Sequence, residues 1–94
     1  MQRGENPLAG TWTAEANGLS YYMTLNKDGA GEMDVGGVRF ILNYERSENP
    51  DSITITIDTD VYTNLYSLSH NGRTLSIKNL FGAGTDVVFT KAKQ

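Results

Sequence analysis

The residues that could do chemistry in this chain of 94 residues are few and scattered. There is one histidine, His70, and no cysteine. His70 comes directly before Asn71-Gly72, a dipeptide typical of hairpin tips, which are solvated. Acid–base and nucleophilic catalysis need a histidine, cysteine, lysine or carboxylate that is held within hydrogen-bond distance of a partner group. The sequence therefore predicts an exposed turn histidine, no catalytic residues, no cofactor and no enzyme activity.

Two carboxylates, Asp58 and Asp60, fall on one short predicted loop. Carboxylate oxygens are calcium ligands, but the chain lacks the EF-hand loop and the repeat motifs that bind this ion. We expect a solvated turn and no metal site. The glycine clusters precede no predicted helix, so we interpret them as turns and not as phosphate-binding loops.

Four tyrosines, Tyr21, Tyr44, Tyr62 and Tyr66, share the phase of predicted inward-facing residues. A buried tyrosine hydroxyl needs a hydrogen-bond partner or a cavity. The four either ring a small ligand pocket or satisfy each other's hydroxyl groups at the ends of the barrel. The interior of an eight-stranded barrel is just wide enough for side chains to fill, which favours the second interpretation.

The loop that begins Leu80-Phe81-Gly82 carries two large apolar residues beside glycine. They either cover the mouth of the barrel or form an exposed anchor for a protein partner, because apolar patches on loops mark recognition sites.

Period-2 alternation interrupted by Gly, Asn and Asp predicts an all-β chain with no substantial helix. Eight short strands are expected at residues 11–15, 19–26, 30–35, 38–46, 53–57, 61–69, 75–77 and 85–91. Turns this short make consecutive strands antiparallel neighbours. We expect a single up-and-down barrel, because closure removes exposed edges, with a two-sheet sandwich as the alternative.

Loop parity in such a meander assigns the turns to two ends. One end is expected to carry 16–18, 36–37, 58–60 and 80–84, and the other to carry both termini with 27–29, 47–51 and 71–72. Residues 1–9 are expected to form a loose N-terminal segment, and residues 10–94 the barrel domain.

The charge and hydropathy of the sequence indicate which classes of partner to expect. The net charge is −3 and the eight basic residues form no stripe, which argues against nucleic acid as a partner. No apolar run is long enough for a membrane helix, so no membrane insertion is expected, although a lipid anchor upstream stays open. The lack of cysteine leaves the compartment open. We expect a monomer.

The tripeptide Gly10-Thr11-Trp12, together with "MTLNKDGAGEM", "YSLSHNGRTLSI" and "DVVFTKAK", resembles the small lipocalin-like domains of bacterial secreted proteins and lipoproteins. The resemblance implies an extracytoplasmic location and a structural role for Gly10, Trp12 and Lys91. In lipocalins a basic residue of the last strand covers the tryptophan, so Lys91 is expected to lie over Trp12.

A weaker similarity connects the chain with small-barrel bacterial protease inhibitors, in which an N-terminal tail or a glycine-containing loop before the last strand engages the enzyme. Three functions follow as hypotheses. The first is a non-enzymatic lipocalin-like binding domain for a small apolar ligand or a protein. The second is a protease inhibitor acting through the Leu80–Thr85 loop or the N-terminal tail. The third is a structural module of a larger surface protein.

Overall fold

The alternating segments form eight antiparallel strands that close into one barrel in the order of the sequence. A computed structural model describes residues 7–82 and 84–92. The strands are β1 (Gly10–Ala16), β2 (Leu19–Leu25), β3 (Ala30–Val35), β4 (Val38–Ser47), β5 (Ser52–Ile57), β6 (Asp60–Leu68), β7 (Thr74–Ile77) and β8 (Val87–Lys91). The predicted up-and-down barrel is confirmed, and the sandwich alternative is wrong.

The barrel closes through a short pairing of its first and last strands. Trp12 is opposite Lys91 and Thr13 is opposite Thr90. Closure removes the two sheet edges that an open meander would expose. Tight turns make the reversals possible, and the Asn17-Gly18 turn has φ of 54° and 76°, the left-handed values that such hairpins require.

The inward-facing residues fill the interior of the barrel. Side chains from every strand are less than a tenth exposed, and those with 1% exposure or less are Leu8, Trp12, Met23, Leu25, Met33, Leu42, Ile53, Ile55, Leu75, Ile77, Val87 and Phe89. Apolar burial of this kind is the main favourable term in folding. The radius of gyration, 12.5 Å, is the value expected of a compact domain of this length.

The core begins before the first strand. Leu8, which we expected in a loose segment at 1–9, is fully buried, and its carbonyl accepts a 2.9 Å hydrogen bond from the Trp12 indole. Residues 1–6 of that segment lie outside the described residues. The packed domain therefore extends to Leu8, whose side chain belongs to the buried core.

The last strand is shorter than predicted. It starts at Val87 and not at Thr85, because the Thr85 carbonyl accepts a 3.0 Å hydrogen bond from the Leu80 amide and thereby stays within the preceding loop. That loop contains one short turn, Leu80–Gly82, whose central residue Phe81 does not have helical dihedral angles. None of the helical residues among those described forms a segment long and apolar enough to cross a membrane.

Burial falls off along the strands toward one end. Leu19 and Val38 have the predicted inward phase, yet they are 43% and 56% exposed. Both lie at the end where the β1–β2 and β3–β4 turns meet, and there no further layer covers the barrel. We call this end the mouth and the end with Leu8 and Trp12 the closed end.

Candidate functional site

An apolar groove opens at the mouth, where two hairpins and one loop meet. Its volume is about 380 Å³, and it is lined by Val35, Val38, Phe40, Ile57, Asp60, Tyr62 and Phe81. Apart from Asp60, all of these side chains are apolar or aromatic. We call this feature the mouth groove.

Strand register explains why the groove exists. The pairs between β4 and β5 run from Ser47 with Ser52 to Asn43 with Thr56. Residues 38–41 of β4 therefore lie beyond the end of β5. The β3–β4 hairpin extends further past the end of the barrel than the β5–β6 hairpin beside it. The step between the two hairpins leaves inward-facing side chains of both exposed to solvent.

Phe81 forms the third wall. Its backbone has φ 58° and ψ 21°, a left-handed conformation that is uncommon for a residue with a bulky side chain. Its ring meets the Tyr62 ring edge-on, with centroids 5.3 Å apart and an angle of 64° between the planes. This arrangement is a favourable one for an aromatic pair. Phe81 thus lies half-buried against the mouth and not extended into solvent.

Hydrogen bonds from Asn79 hold the loop in this shape. The Asn79 carbonyl accepts a 2.8 Å bond from the Gly82 amide, and its side-chain oxygen accepts one from the Gly84 amide. The Asn79 amide in turn donates to the Asp86 carboxylate at 2.9 Å. These hydrogen bonds therefore fix the backbone of the loop both before and after Phe81.

Asn64 ties the loop to the barrel wall. It is 4% exposed, and its side-chain amide donates to the carbonyls of Lys78 at 3.1 Å and Asn79 at 2.6 Å. Its own oxygen, Oδ1, is buried without a hydrogen-bond partner among the described residues. A buried amide that satisfies two loop carbonyls fixes the position of the loop. The alternation of the sequence places Asn64 among the inward-facing residues. A polar residue at such a position needs buried hydrogen-bond partners, and this was the feature from which its role could have been inferred.

Asp60 gives the groove its charge. It is the first residue of β6, is exposed, and lies opposite Ile57. No basic side chain in residues 7–82 or 84–92 pairs with it. Asp58, the other carboxylate of the predicted pair, lies in the turn with φ 56° and does not line the groove.

The four predicted tyrosines do not form one pocket. Tyr62 lines the mouth groove, whereas the Tyr21 ring packs edge-on against Phe89 with centroids 6.0 Å apart. The Tyr44 hydroxyl donates a 2.5 Å bond to the Asn26 carbonyl near the closed end, and Tyr66 is 8% exposed within the core. The geometry therefore does not bring the four tyrosines around one pocket, and the contacts described for Tyr44 and Tyr21 are to the Asn26 carbonyl and to Phe89.

The Gly10, Trp12 and Lys91 cluster closes the opposite end. Lys91 Nζ lies 5.5 Å from the centroid of the Trp12 ring, which is the position that the resemblance implies. Gly10 has φ 140°, and a Cβ placed there would lie 2.8 Å from Lys91 Cε. The absence of a side chain at Gly10 lets the lysine chain cross the start of β1 toward the indole.

The remaining residues that could act in catalysis or bind a metal ion do not form a site among the described residues. His70 is exposed beside the Asn71-Gly72 turn. Within the part of the chain that the structure describes, no three His, Cys, Asp or Glu side chains come close enough to hold a metal ion.

Comparison with models of protein families, with curated proteins and with solved structures finds no match for this chain. The eight-stranded antiparallel barrel is itself consistent with a lipocalin-like fold.

Proposed function

We propose that this protein is a non-enzymatic binding domain that takes the apolar part of its ligand into the mouth groove. The observation that carries the proposal is the groove itself, an apolar depression of about 380 Å³ with one convergent charged residue. Ligand sites are typically concave, mostly apolar, and contain a few placed polar groups.

The volume and the rigidity of the groove both support this function. Sites for small molecules occupy roughly 300–1,000 Å³, and the mouth groove lies at the small end of that range. The bonds from Asn64 and Asn79 hold the wall that carries Phe81, so little ordering is left for a ligand to impose. Preorganisation of this kind lowers the entropic cost of binding.

The interior of the barrel is the poorer candidate for a ligand. Apolar side chains fill it, and the tyrosines expected to ring a pocket do not line one together. We therefore assign the binding role to the mouth and not to an internal cavity.

The resemblance of the sequence to lipocalin-like domains of bacterial secreted proteins and lipoproteins supports an extracytoplasmic location as part of the proposal. The scattered charge and the compact shape support a monomer that does not bind nucleic acid.

The protease-inhibitor hypothesis has less support. An inhibitory loop is expected to be extended and accessible, whereas Leu80 is 2% exposed and Phe81 packs against Tyr62. The N-terminal tail of that hypothesis falls largely on residues 1–6, outside the described residues. The third hypothesis, a structural module, is the outcome if no ligand binds.

A titration with phenylbutanol, a neutral probe with an apolar body, tests the proposal. Amide NMR spectra of the wild type are expected to shift at residues 57–62 and 81–82, with saturation at a single site. Phe81→Ala removes one wall of the groove, so its affinity for the probe is expected to fall about tenfold, the loss that follows from about 1.4 kcal/mol of apolar contact.

Val88→Ala is the matched control, because Val88 is a 55% exposed apolar residue outside the groove. It is expected to bind phenylbutanol as the wild type does. If the wild type shows no saturable shifts at the mouth, or if both variants weaken binding equally, the mouth groove is not a binding site and the structural-module hypothesis takes its place.

A further inference from the structure

The charge at the mouth restricts the chemistry of the ligand. Among the residues that the structure describes, Asp60 is the one charged residue that lines the mouth groove, and its neighbours on the walls are apolar or aromatic. A carboxylate at the rim of an apolar groove attracts a cation and repels an anion.

The basic side chains of the mouth end are already engaged. Arg39 forms an ion pair with Glu32 on the outer wall, and Lys78 Nζ lies 3.7 Å from the Asp86 carboxylate. Neither residue lines the groove. Asp60 therefore keeps its charge uncompensated by any of the described basic groups.

The electrostatic field over the whole mouth end is also negative. Carboxylates outnumber basic side chains at the mouth end, which carries Glu15, Glu32, Asp34, Asp58, Asp60 and Asp86 against Arg39 and Lys78. The described residues of the closed end are balanced, with Lys27, Arg46, Arg73 and Lys91 against Asp28, Glu45, Glu48 and Asp51. A negative field over one end steers cations toward it.

We propose that the ligand of the mouth groove is a small cationic amphiphile, an apolar body with an amine, whose ammonium group pairs with Asp60. The apolar body packs against Val38, Ile57 and Phe81, and the ammonium remains at the rim, where it is partly hydrated. The volume of the groove fits a small molecule better than a protein surface, which would need a far larger contact area. This inference rests on the proposed function.

Three probes of matched shape test it: phenylbutylamine, phenylbutanol and phenylbutyrate. The amine is expected to bind the wild type about three- to fivefold more tightly than the alcohol, as a solvent-exposed ion pair allows, and the carboxylate is expected to bind more weakly than either. The preference for the amine is expected to shrink at high salt, because salt screens exposed charges.

Asp60→Asn is expected to abolish the preference for the amine, so that phenylbutylamine and phenylbutanol bind the variant with equal affinity. Asp51→Asn is the matched control. It removes the same charge from an exposed residue in the turn between β4 and β5 at the closed end, and it is expected to keep the preference.

The results separate the two proposals. If phenylbutanol binds at the mouth but the amine has no advantage, or if Asp60→Asn keeps that advantage, the inference is overturned and the proposed function stands. If no probe binds at the mouth, the proposed function fails. If sedimentation shows that the wild type dimerises through the groove and excludes the probes, a second copy of the chain is the occupant and the inference is overturned.

Discussion

The same alternating strands form both ends of the barrel, but the inward-facing side chains are covered at one end and exposed at the other. At the closed end, Trp12 is fully buried, its indole donates a hydrogen bond to the Leu8 carbonyl, and Lys91 Nζ lies over its ring. At the mouth, Val38 has the same inward phase and is 56% exposed. The difference shows that alternation decides which way a side chain points, whereas a covering layer decides whether it is buried. We assign stability to the covered end and binding to the uncovered one.

The largest effect is expected from Trp12→Ala at the closed end. It removes a fully buried indole, its 2.9 Å bond to Leu8 and the contact with Lys91. A loss of about 3–5 kcal/mol in the free energy of unfolding is expected from such a truncation, measured by urea denaturation. Phe81→Ala at the mouth is the counterpart, with an expected loss of roughly 1–2 kcal/mol. Equal losses for the two variants would contradict the division of roles.

Gly31→Ala tests how tightly the barrel is packed toward its closed end. A Cβ on Gly31 would overlap the Thr24 carbonyl oxygen and lie 3.1 Å from Leu42 Cδ1, so the backbone itself must move. Overpacking of this kind costs up to about 3 kcal/mol in unfolding free energy, which thermal denaturation with calorimetry measures.

Gly37→Asn is the comparison at the mouth. A Cβ there meets nothing within 4 Å, and asparagine tolerates the left-handed backbone better than other residues with a side chain. Because φ at Gly37 is 93°, the new side chain is still strained there, and this variant is expected to lose less stability than Gly31→Ala but not to match the wild type. A Gly31→Ala variant as stable as Gly37→Asn would show that the barrel wall at Gly31 is looser than described.

A smaller effect on stability is expected from Asn64→Ala, with a distinct effect on binding. The variant leaves the Lys78 and Asn79 carbonyls without their side-chain donor, at a cost of about 1–2 kcal/mol in unfolding free energy. Because the loop with Phe81 loosens, phenylbutanol is expected to bind more weakly although Asn64 does not line the groove.

Asn43→Ala is the control for that experiment, because Asn43 is an exposed residue of β4 outside the groove. It is expected to change neither unfolding nor binding. If Asn64→Ala lowers stability and leaves the affinity for phenylbutanol intact, the loop does not depend on this amide for its binding geometry.

Local patterns were sufficient to predict the barrel. The alternation of Ile53 and Ile55 with threonines, and turns such as Asn17-Gly18, depend on residues close together in the sequence, and a meander contains only neighbouring pairings. Loop parity also predicted that 36–37, 58–60 and 80–84 meet at one end, and the mouth groove lies where they do.

The candidate site could be predicted only in part. Phe81 and Asp60 were singled out from the sequence, but the step between the two hairpins depends on where β5 ends relative to β4. The bond from Asn64 to Asn79 joins residues that are 15 positions apart and depends on the final packing. Leu8 was missed because no alternating pattern surrounds it, although it is fully buried and its carbonyl accepts a hydrogen bond from the Trp12 indole.

The location of the bound probe tests the central claim most directly. Intermolecular NOEs between phenylbutanol and the methyl groups of the protein distinguish the mouth from the interior, because Val38 and Ile57 line the groove whereas Met33 and Ile55 are 1% exposed or less in the core. We expect NOEs to Val38 and Ile57 and none to Ile55. NOEs to Met33 and Ile55 would place the ligand inside the barrel and contradict the assignment of binding to the mouth.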